Sequence, residues 1–299
     1  MNNAKERPLI LPAAAVAVFT VANGMIKAPY FSGSILPFVA AFILGVPAFC
    51  GVGILRLKLY GCCNLYVKRT ALFIVFAFAG FAAILATSEF SRFIFDDVLV
   101  HENYLVIKAV FAVCVFALSV CEENVIYKFS LLCAVLVSTV FFVLFLTSVK
   151  TFDANNIKSA LTFSDFSLKQ TGAYFGRTIL PALIAAVHIC ENKKTVKAGV
   201  FGIAWAFALC SLVLLDCILS FSLPLAAKLD YPYIDDISTV TVGSLFTRMD
   251  GFAYIAFFVC YLLKCALCVS LGAKCLEKAG LCHKKAICAA LCIIALSVS

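Results

Sequence analysis

The chain has 299 residues, of which 64% are hydrophobic and 13% are charged, and its mean hydropathy is +1.07. Soluble domains are about half apolar and about a quarter charged, so this composition excludes an ordinary water-soluble protein and indicates one embedded in a lipid bilayer. The net charge of +8 does not indicate a nucleic-acid partner, because the basic residues lie scattered between apolar runs and form no single patch.

A helix needs about 20 apolar residues to cross the hydrocarbon core, and its backbone hydrogen bonds must close within the helix. Apolar runs of about this length alternate with short charged segments along the whole chain. We therefore predict an all-α, polytopic transmembrane bundle of about nine spans that forms one domain over residues 1–299. The predicted spans are residues 9–26, 34–55, 70–90, 104–121, 126–148, 174–190, 198–221, 251–271 and 286–298.

The basic residues predict the orientation. With a cytoplasmic amino terminus, the inner segments hold 14 lysines and arginines and the outer segments hold seven, and positive charge accumulates on the cytoplasmic side of membrane proteins. The first run has Asn23, Gly24 and Pro29 where a signal peptide would need small residues for cleavage, so we expect it to remain as a mature helix.

The 16 cysteines all fall in apolar runs or in predicted inner loops, which favours reduced, helix-packing thiols over a disulfide framework. Cys265 and Cys268 have a metal-like spacing, but such spacings recur by chance in a cysteine-rich chain, and we predict neither a metal site nor a cofactor. No phosphate-binding loop, nucleophile elbow or His-Glu-x-x-His pattern is present in the sequence, so we do not expect an enzyme.

Helix breakers occur at comparable places in the first and sixth spans, as Asn23-Gly24 before Pro29 and as Gly176 before Pro181. Interrupted helices at matching positions of two halves indicate a transporter-type binding site, with repeats over about 9–148 and 174–299. The alternative is that these glycines and prolines only allow close packing or a kink.

Several segments resemble the endospore germination permeases, the membrane-permease subunit of nutrient germinant receptors within the amino acid, polyamine and organocation transporter superfamily. Residues 23–29 are similar to the family's Gly-x-Gly-Ile-Leu-x-x-Pro break, although Ala22 or Asn23 replaces the first glycine, and residues 88–94 are similar to its Arg-Glu-Phe segment. Residues 231–233, 242–252 and 262–265 are similar to its Phe-Pro-Thr-Tyr, Ile-Gly-Asp-Phe-x-Glu-Arg-Leu-Glu-Ala-Ile-Phe and Phe-Ile-Lys-Ile signatures.

Two features depart from that pattern. The family's sixth-span Phe-Pro-Glu would fall near residues 177–179, where both its proline and its glutamate are missing, and the usual ten spans are here about nine. The resemblance then implies a LeuT-like five-plus-five inverted repeat that lacks the tenth helix, either because that helix is lost or because the sequence is truncated.

The resemblance implies a receptor permease subunit that binds a small nutrient germinant, most simply an amino acid, and signals germination. It also implies a spore inner membrane or bacterial cytoplasmic membrane location, and partner subunits in the form of a soluble-headed membrane protein and a lipoprotein. Two alternatives remain open: a proton- or ion-coupled secondary amino-acid transporter, and a scaffold membrane subunit that binds no ligand.

Charged residues within spans are costly and mark functional positions by default. Lys264 lies deep in the eighth span at a motif position. Glu89 is expected to form an ion pair with either Lys264 or Arg248. The alternative is that Glu89 is a surface carboxylate beside Arg92. Arg177 either holds a ligand carboxylate or extends to the membrane surface. The predicted ligand-binding residues are Asn23, Gly24, Met25, Gly176, Arg177, Thr178 and Lys264, and the predicted charged supports are Glu89 and Arg248.

Overall fold

The computed structural model describes residues 8–25, 35–60, 65–99, 102–160, 167–190, 192–221, 223–226, 228–229, 231–239, 249–280 and 283–297. Every regular element in these ranges is helical. The α-helices are α1 Ile10–Met25, α2 Leu36–Tyr60, α3 Leu65–Phe93, α4 Tyr104–Val120, α5 Glu123–Ser148, α6 Asn155–Ala160, α7 Leu168–Tyr174, α8 Leu180–Ile189, α9 Lys193–Phe221, α10 Leu223–Ala226, α11 Pro232–Thr239, α12 Asp250–Lys278 and α13 Lys284–Ser297. Two π-helical turns, Ile94–Val98 and Phe175–Ile179, follow α3 and join α7 to α8.

Within the described ranges, five helical segments are long and apolar enough to cross a membrane, namely Leu36–Lys58, Tyr66–Val98, Glu123–Ser148, Lys193–Phe221 and Asp250–Lys278. Shorter apolar helices occur at Ile10–Ala22 and Tyr104–Val120. Each predicted span overlaps helix in the described ranges. The prediction of an all-α membrane bundle is therefore confirmed, while the count of nine crossings stays a prediction.

Helix α12 forms the centre of the bundle. Two thirds of its most apolar window is buried, against half or less in the other four long segments, and it contacts α1, α3, α4, α5 and α13. Its most extensive contacts are with α3. Side chains on these two helices are therefore held in a fixed relation at the middle of the molecule.

Helices α1 and α9 also pack closely, because small residues let their backbones approach. The alanines of α1 from Ala13 to Ala17 are almost fully buried. A β-carbon placed at Gly202 of α9 would lie only 2.4 Å from the Ala13 carbonyl oxygen. Glycine is therefore required at this crossing point.

The two ends of the bundle differ in charge. Arg56, Lys68, Lys274 and Lys278 surround one cavity where α2 ends, α3 begins and α12 ends. At the opposite end of α3 and α12, the Tyr254 hydroxyl donates to the Asp97 carboxylate over 2.8 Å. Which of the two ends faces the cytoplasm stays a prediction from the sequence.

Candidate functional site

A cavity of about 600 Å³ lies between α3, α8 and α12, with one wall completed by α2 and the π turn before α8. This volume is within the usual range of about 300–1,000 Å³ for small-molecule sites. Most of its described lining is apolar, from residues such as Phe78, Phe81 and Leu183, and the charged residues in that described lining are Glu89 and Lys264. The described walls therefore combine apolar side chains with one acid and one base.

Lys264 is the midpoint of α12, with 14 residues of helix on either side. At 1.5 Å per residue, each helix end is about 20 Å away, which is too far for the ammonium group to reach water at the membrane surface. The side chain is only 4% exposed, and its Nζ lies 4.9 Å from the centre of the Tyr261 ring. Lys264 lines the cavity, so a ligand there can contact its side chain.

The backbone around Lys264 is fixed by a contact with α3. The Thr87 hydroxyl donates to the Ala83 carbonyl over 2.8 Å and also lies 3.7 Å from the Cys265 sulfur. Both side chains are buried. The residue next to Lys264 is thus held against α3 half a helical turn before Glu89.

Glu89 is exposed on α3 and lines the same cavity as Lys264. Its carboxylate is close enough to act electrostatically on the Lys264 ammonium. The structure thus brings Glu89 and Lys264 to one cavity, while an ion pair between them stays a prediction. Arg248, the other expected partner, lies outside the described residues.

The sixth-span interruption takes the form of a π turn, not of unwound backbone. The Leu180 backbone N–H donates to the Phe175 carbonyl. The next hydrogen bond in this π register would run from residue 181 to the Gly176 carbonyl, but residue 181 is proline and has no N–H. The Gly176 carbonyl therefore loses its π-register donor and can accept a hydrogen bond from a ligand. Gly176 lines the cavity, and π turns are frequent at functional sites.

The other predicted site residues are not among the described residues that line the cavity. Thr178 is buried, and its hydroxyl donates to the Tyr174 carbonyl over 2.6 Å, so its proton is directed to its own helix. Asn23, Gly24 and Met25 form the last turn of α1, but the side chains of Asn23, Met25 and Arg177 lie outside the described parts. Of the predicted ligand-binding set, the cavity lining includes Gly176 and Lys264.

A second polar cluster, at the acidic end of the bundle, was not predicted as a unit. Asp216 of α9 and Asp236 of α11 are both buried and act electrostatically on each other. Neither Asp216 oxygen has a hydrogen-bond partner in the described parts, and the adjacent Ser148 hydroxyl donates instead to the Leu144 carbonyl. Burial raises the pKa of Asp236, which lies in the connection between α9 and α12, to about 6.

A signal for this cluster exists in the sequence, because Asp216 interrupts an apolar run and Asp236 follows the Tyr-Pro-Tyr segment. What the sequence does not contain is the packing of α11 against α9 that brings the two carboxylates together. In the described ranges, no group of three or more His, Cys, Asp or Glu residues is arranged to hold a metal ion.

Comparison with solved structures identifies the architecture. The chain resembles a manganese transporter of Eremococcus coleocola, solved with an aromatic bis-isothiourea substituted compound, at a TM-score of 0.59 and 12% identity over 99% of this chain and 71% of that one. It also resembles a Na⁺-coupled sialic acid symporter in a substrate-bound outward-open state, at a TM-score of 0.50 and 12% identity over 95% of this chain and 71% of that one. Both are LeuT-fold transporters, so the predicted LeuT-like fold is confirmed, while its division into two repeats stays a prediction.

Comparison with curated protein sequences gives no match. A family model described as spore germination protein matches residues 66–299, which is more than three quarters of the chain. The protein is a multi-pass membrane protein of the permease type and belongs to the spore germination permease family.

Proposed function

We propose that this protein is the permease subunit of a nutrient germinant receptor and binds an amino acid in the cavity between α3, α8 and α12. The observation that supports this assignment is the presence of Glu89 and Lys264 in one cavity whose other described lining residues are mostly apolar. A free amino acid carries one negative and one positive group together with a side chain. The cavity offers a complement to each of these three parts.

In this arrangement, Lys264 pairs with the ligand carboxylate and Glu89 with its ammonium group. Hydrogen bonds between ionised groups are shorter and stronger than neutral ones, and they gain further strength where water is excluded. The Gly176 carbonyl supplies an additional acceptor for the ammonium group. The phenylalanines and aliphatic residues of α3 and α8 favour a germinant with an apolar side chain.

Binding reports the nutrient by a shift in population. A ligand that contacts α3, α8 and α12 at once stabilises the conformation in which these helices have the spacing seen here, at the expense of conformations with another spacing. The π turn beside the cavity is the element of this wall with the least regular backbone. We infer that ligand binding is transmitted through it to α8.

The same proposal places the protein in the spore inner membrane, or in the cytoplasmic membrane of the bacterium, with its amino terminus in the cytoplasm. The basic end formed by α2, α3 and α12 would face inward and the end with Asp97 and Asp236 outward. A soluble-headed membrane subunit and a lipoprotein would be its partners. We further propose that residues 1–299 form one domain, with repeats over about residues 9–148 and 174–299.

A secondary amino-acid transporter is the second candidate, because the fold is that of transporters. It would use the same cavity, with net flux driven by an ion or proton gradient. A scaffold subunit without a ligand is the third candidate and predicts that no amino acid binds.

The experiment is a thermal-stability screen of the purified protein against the twenty amino acids, followed by uptake measurements in proteoliposomes. Stabilisation by one or a few apolar amino acids without net uptake supports the receptor. Stabilisation with gradient-driven uptake supports the transporter instead. Absence of stabilisation by every amino acid contradicts both and leaves the scaffold.

A further inference from the structure

A second cavity, of about 310 Å³, lies at the basic end of the bundle between α2, α3 and α12. Four of its lining residues carry positive charge: Arg56 from α2, Lys68 from α3, and Lys274 and Lys278 from α12. None of the lining residues in the described parts is a carboxylate. Three separate helices thus bring cations to one small space.

The four basic residues differ in solvent exposure and in their contacts. Arg56 is 9% exposed, so its guanidinium is fixed within the bundle, while Lys68 is half-buried and Lys278 is exposed. Lys274 forms an ion pair with Glu123 of α5. Arg56, Lys274 and Lys278 line the cavity together with the Cys275 thiol.

The rest of the cavity wall is apolar and open on one side. Leu55 and Ile74 line it and are 55% and 52% exposed, on segments long and apolar enough to cross the membrane. Apolar side chains exposed on such segments face hydrocarbon. The cavity is therefore basic at the membrane surface and apolar toward the membrane interior.

The apolar wall continues deeper into the membrane. Val52, Val75 and Val187 line both this cavity and the larger one described above. An acyl chain entering beside Leu55 would accordingly follow an apolar cleft between α2 and α3. A small soluble anion would gain nothing from that part of the wall.

We propose that this cavity is a binding site for the headgroup of an anionic phospholipid of the cytoplasmic leaflet, with an acyl chain along the cleft between α2 and α3. The phosphate would lie among Arg56, Lys68 and Lys278, where guanidinium and ammonium groups supply charge-assisted hydrogen bonds. Basic pockets between transmembrane helices on the cytoplasmic side are suited to anionic headgroups. The proposal does not depend on the amino-acid site.

The experiment measures lipid retention by the full-length protein in detergent, using native mass spectrometry with phosphatidylglycerol and phosphatidylcholine of identical acyl chains in competition. We expect preferential retention of phosphatidylglycerol. Each of Arg56→Gln and Lys68→Gln should weaken it about fivefold, since one basic residue near an anionic membrane surface contributes about that factor. Lys68→Arg keeps the charge and should retain the lipid.

The matched control is Lys197→Gln, which removes one exposed positive charge near the start of α9 from a residue that does not line the cavity. Retention equal to that of the unaltered protein supports a specific site. If Lys197→Gln weakens retention as much as Lys68→Gln does, a diffuse basic surface accounts for the effect and the site is refuted. If glycerol phosphate displaces phosphatidylglycerol at equal concentration, the cavity binds soluble anions and the lipid assignment fails.

Discussion

Replacing Lys264 with methionine should raise the stability of the unliganded protein and lower its affinity for the ligand. Because these two changes have opposite signs, the variant separates ligand binding from folding. Methionine has a similar length and no charge, and it suits a position that is 4% exposed at the centre of α12. A lysine at the centre of a span costs about 3 kcal/mol on membrane-insertion scales. Part of that cost is offset by the Tyr261 ring 4.9 Å from Nζ, an interaction of about 1 kcal/mol, and a further part by the Glu89 carboxylate. The unliganded variant should accordingly be more stable, by on the order of 1–2 kcal/mol.

Ligand affinity should change in the other direction. A hydrogen bond that involves a charged group contributes about 1.5–3 kcal/mol, and the variant leaves the ligand carboxylate without its cation. We expect a loss of affinity on the order of 100-fold. Lys108→Met is the matched control, because Lys108 is also buried beside a tyrosine ring, at 5.8 Å from Tyr104, but does not line the cavity.

The assay is thermal unfolding of each variant in detergent, without ligand and with the amino acid that stabilises the unaltered protein most. Lys264→Met should start from a higher midpoint and lose the ligand-induced shift, while Lys108→Met should keep that shift. Unchanged affinity in Lys264→Met would refute the role given to this lysine. An equal loss in both variants would show that the effect comes from the bundle as a whole.

Three further expectations concern the rest of the molecule. Burial raises the pKa of Asp236 to about 6 from an unfolded value of about 3.9, so the folded state binds the proton more tightly. The free energy of unfolding should therefore rise as pH falls from 7 toward 4, by on the order of 2 kcal/mol. Asp236→Asn should flatten this pH dependence in unfolding measurements, and an unchanged profile would contradict the expectation. Gly202→Ala puts a β-carbon 2.4 Å from the Ala13 carbonyl oxygen and should lower the free energy of unfolding by about 1–3 kcal/mol. Gly51→Ala meets no atom within 4 Å and should be neutral or stabilising, and equal effects of the two changes would contradict the expectation. A cysteine introduced at Asn155 should react with an impermeant thiol reagent added outside intact cells, and reaction only after permeabilisation would reverse the orientation.

The helices were largely predictable because a bilayer leaves few alternatives. An apolar run of about 20 residues must be helical to pair its backbone groups, and this fixed the approximate positions of α2, α3, α5, α9 and α12. The exact ends were less predictable, since α3 begins at Leu65 and includes Lys68 and Arg69, whereas the predicted span begins at residue 70. Basic side chains at a helix end can extend to the surface while their backbone stays helical.

The site was predictable in part and for a clear reason. A charge deep in an apolar run is conspicuous, so Lys264 and Glu89 could be named from the sequence. Their common cavity could not, because it depends on the packing of α12 against α3. The approach of Asp216 to Asp236 depends in the same way on how α11 folds back onto α9, and no local pattern contains that information.

The π turn at Phe175–Ile179 determines the rotational phase of the helix that follows it. A π turn holds about one residue more than an α turn, so every side chain of α8 is displaced by about 100° around the helix axis from its position in an uninterrupted α-helix. In the observed phase, Leu183, Ile184 and Val187 face the cavity. Deleting one residue from the turn would present a different side of α8 to α3, so the chemical character of this wall is set by chain geometry several residues before it.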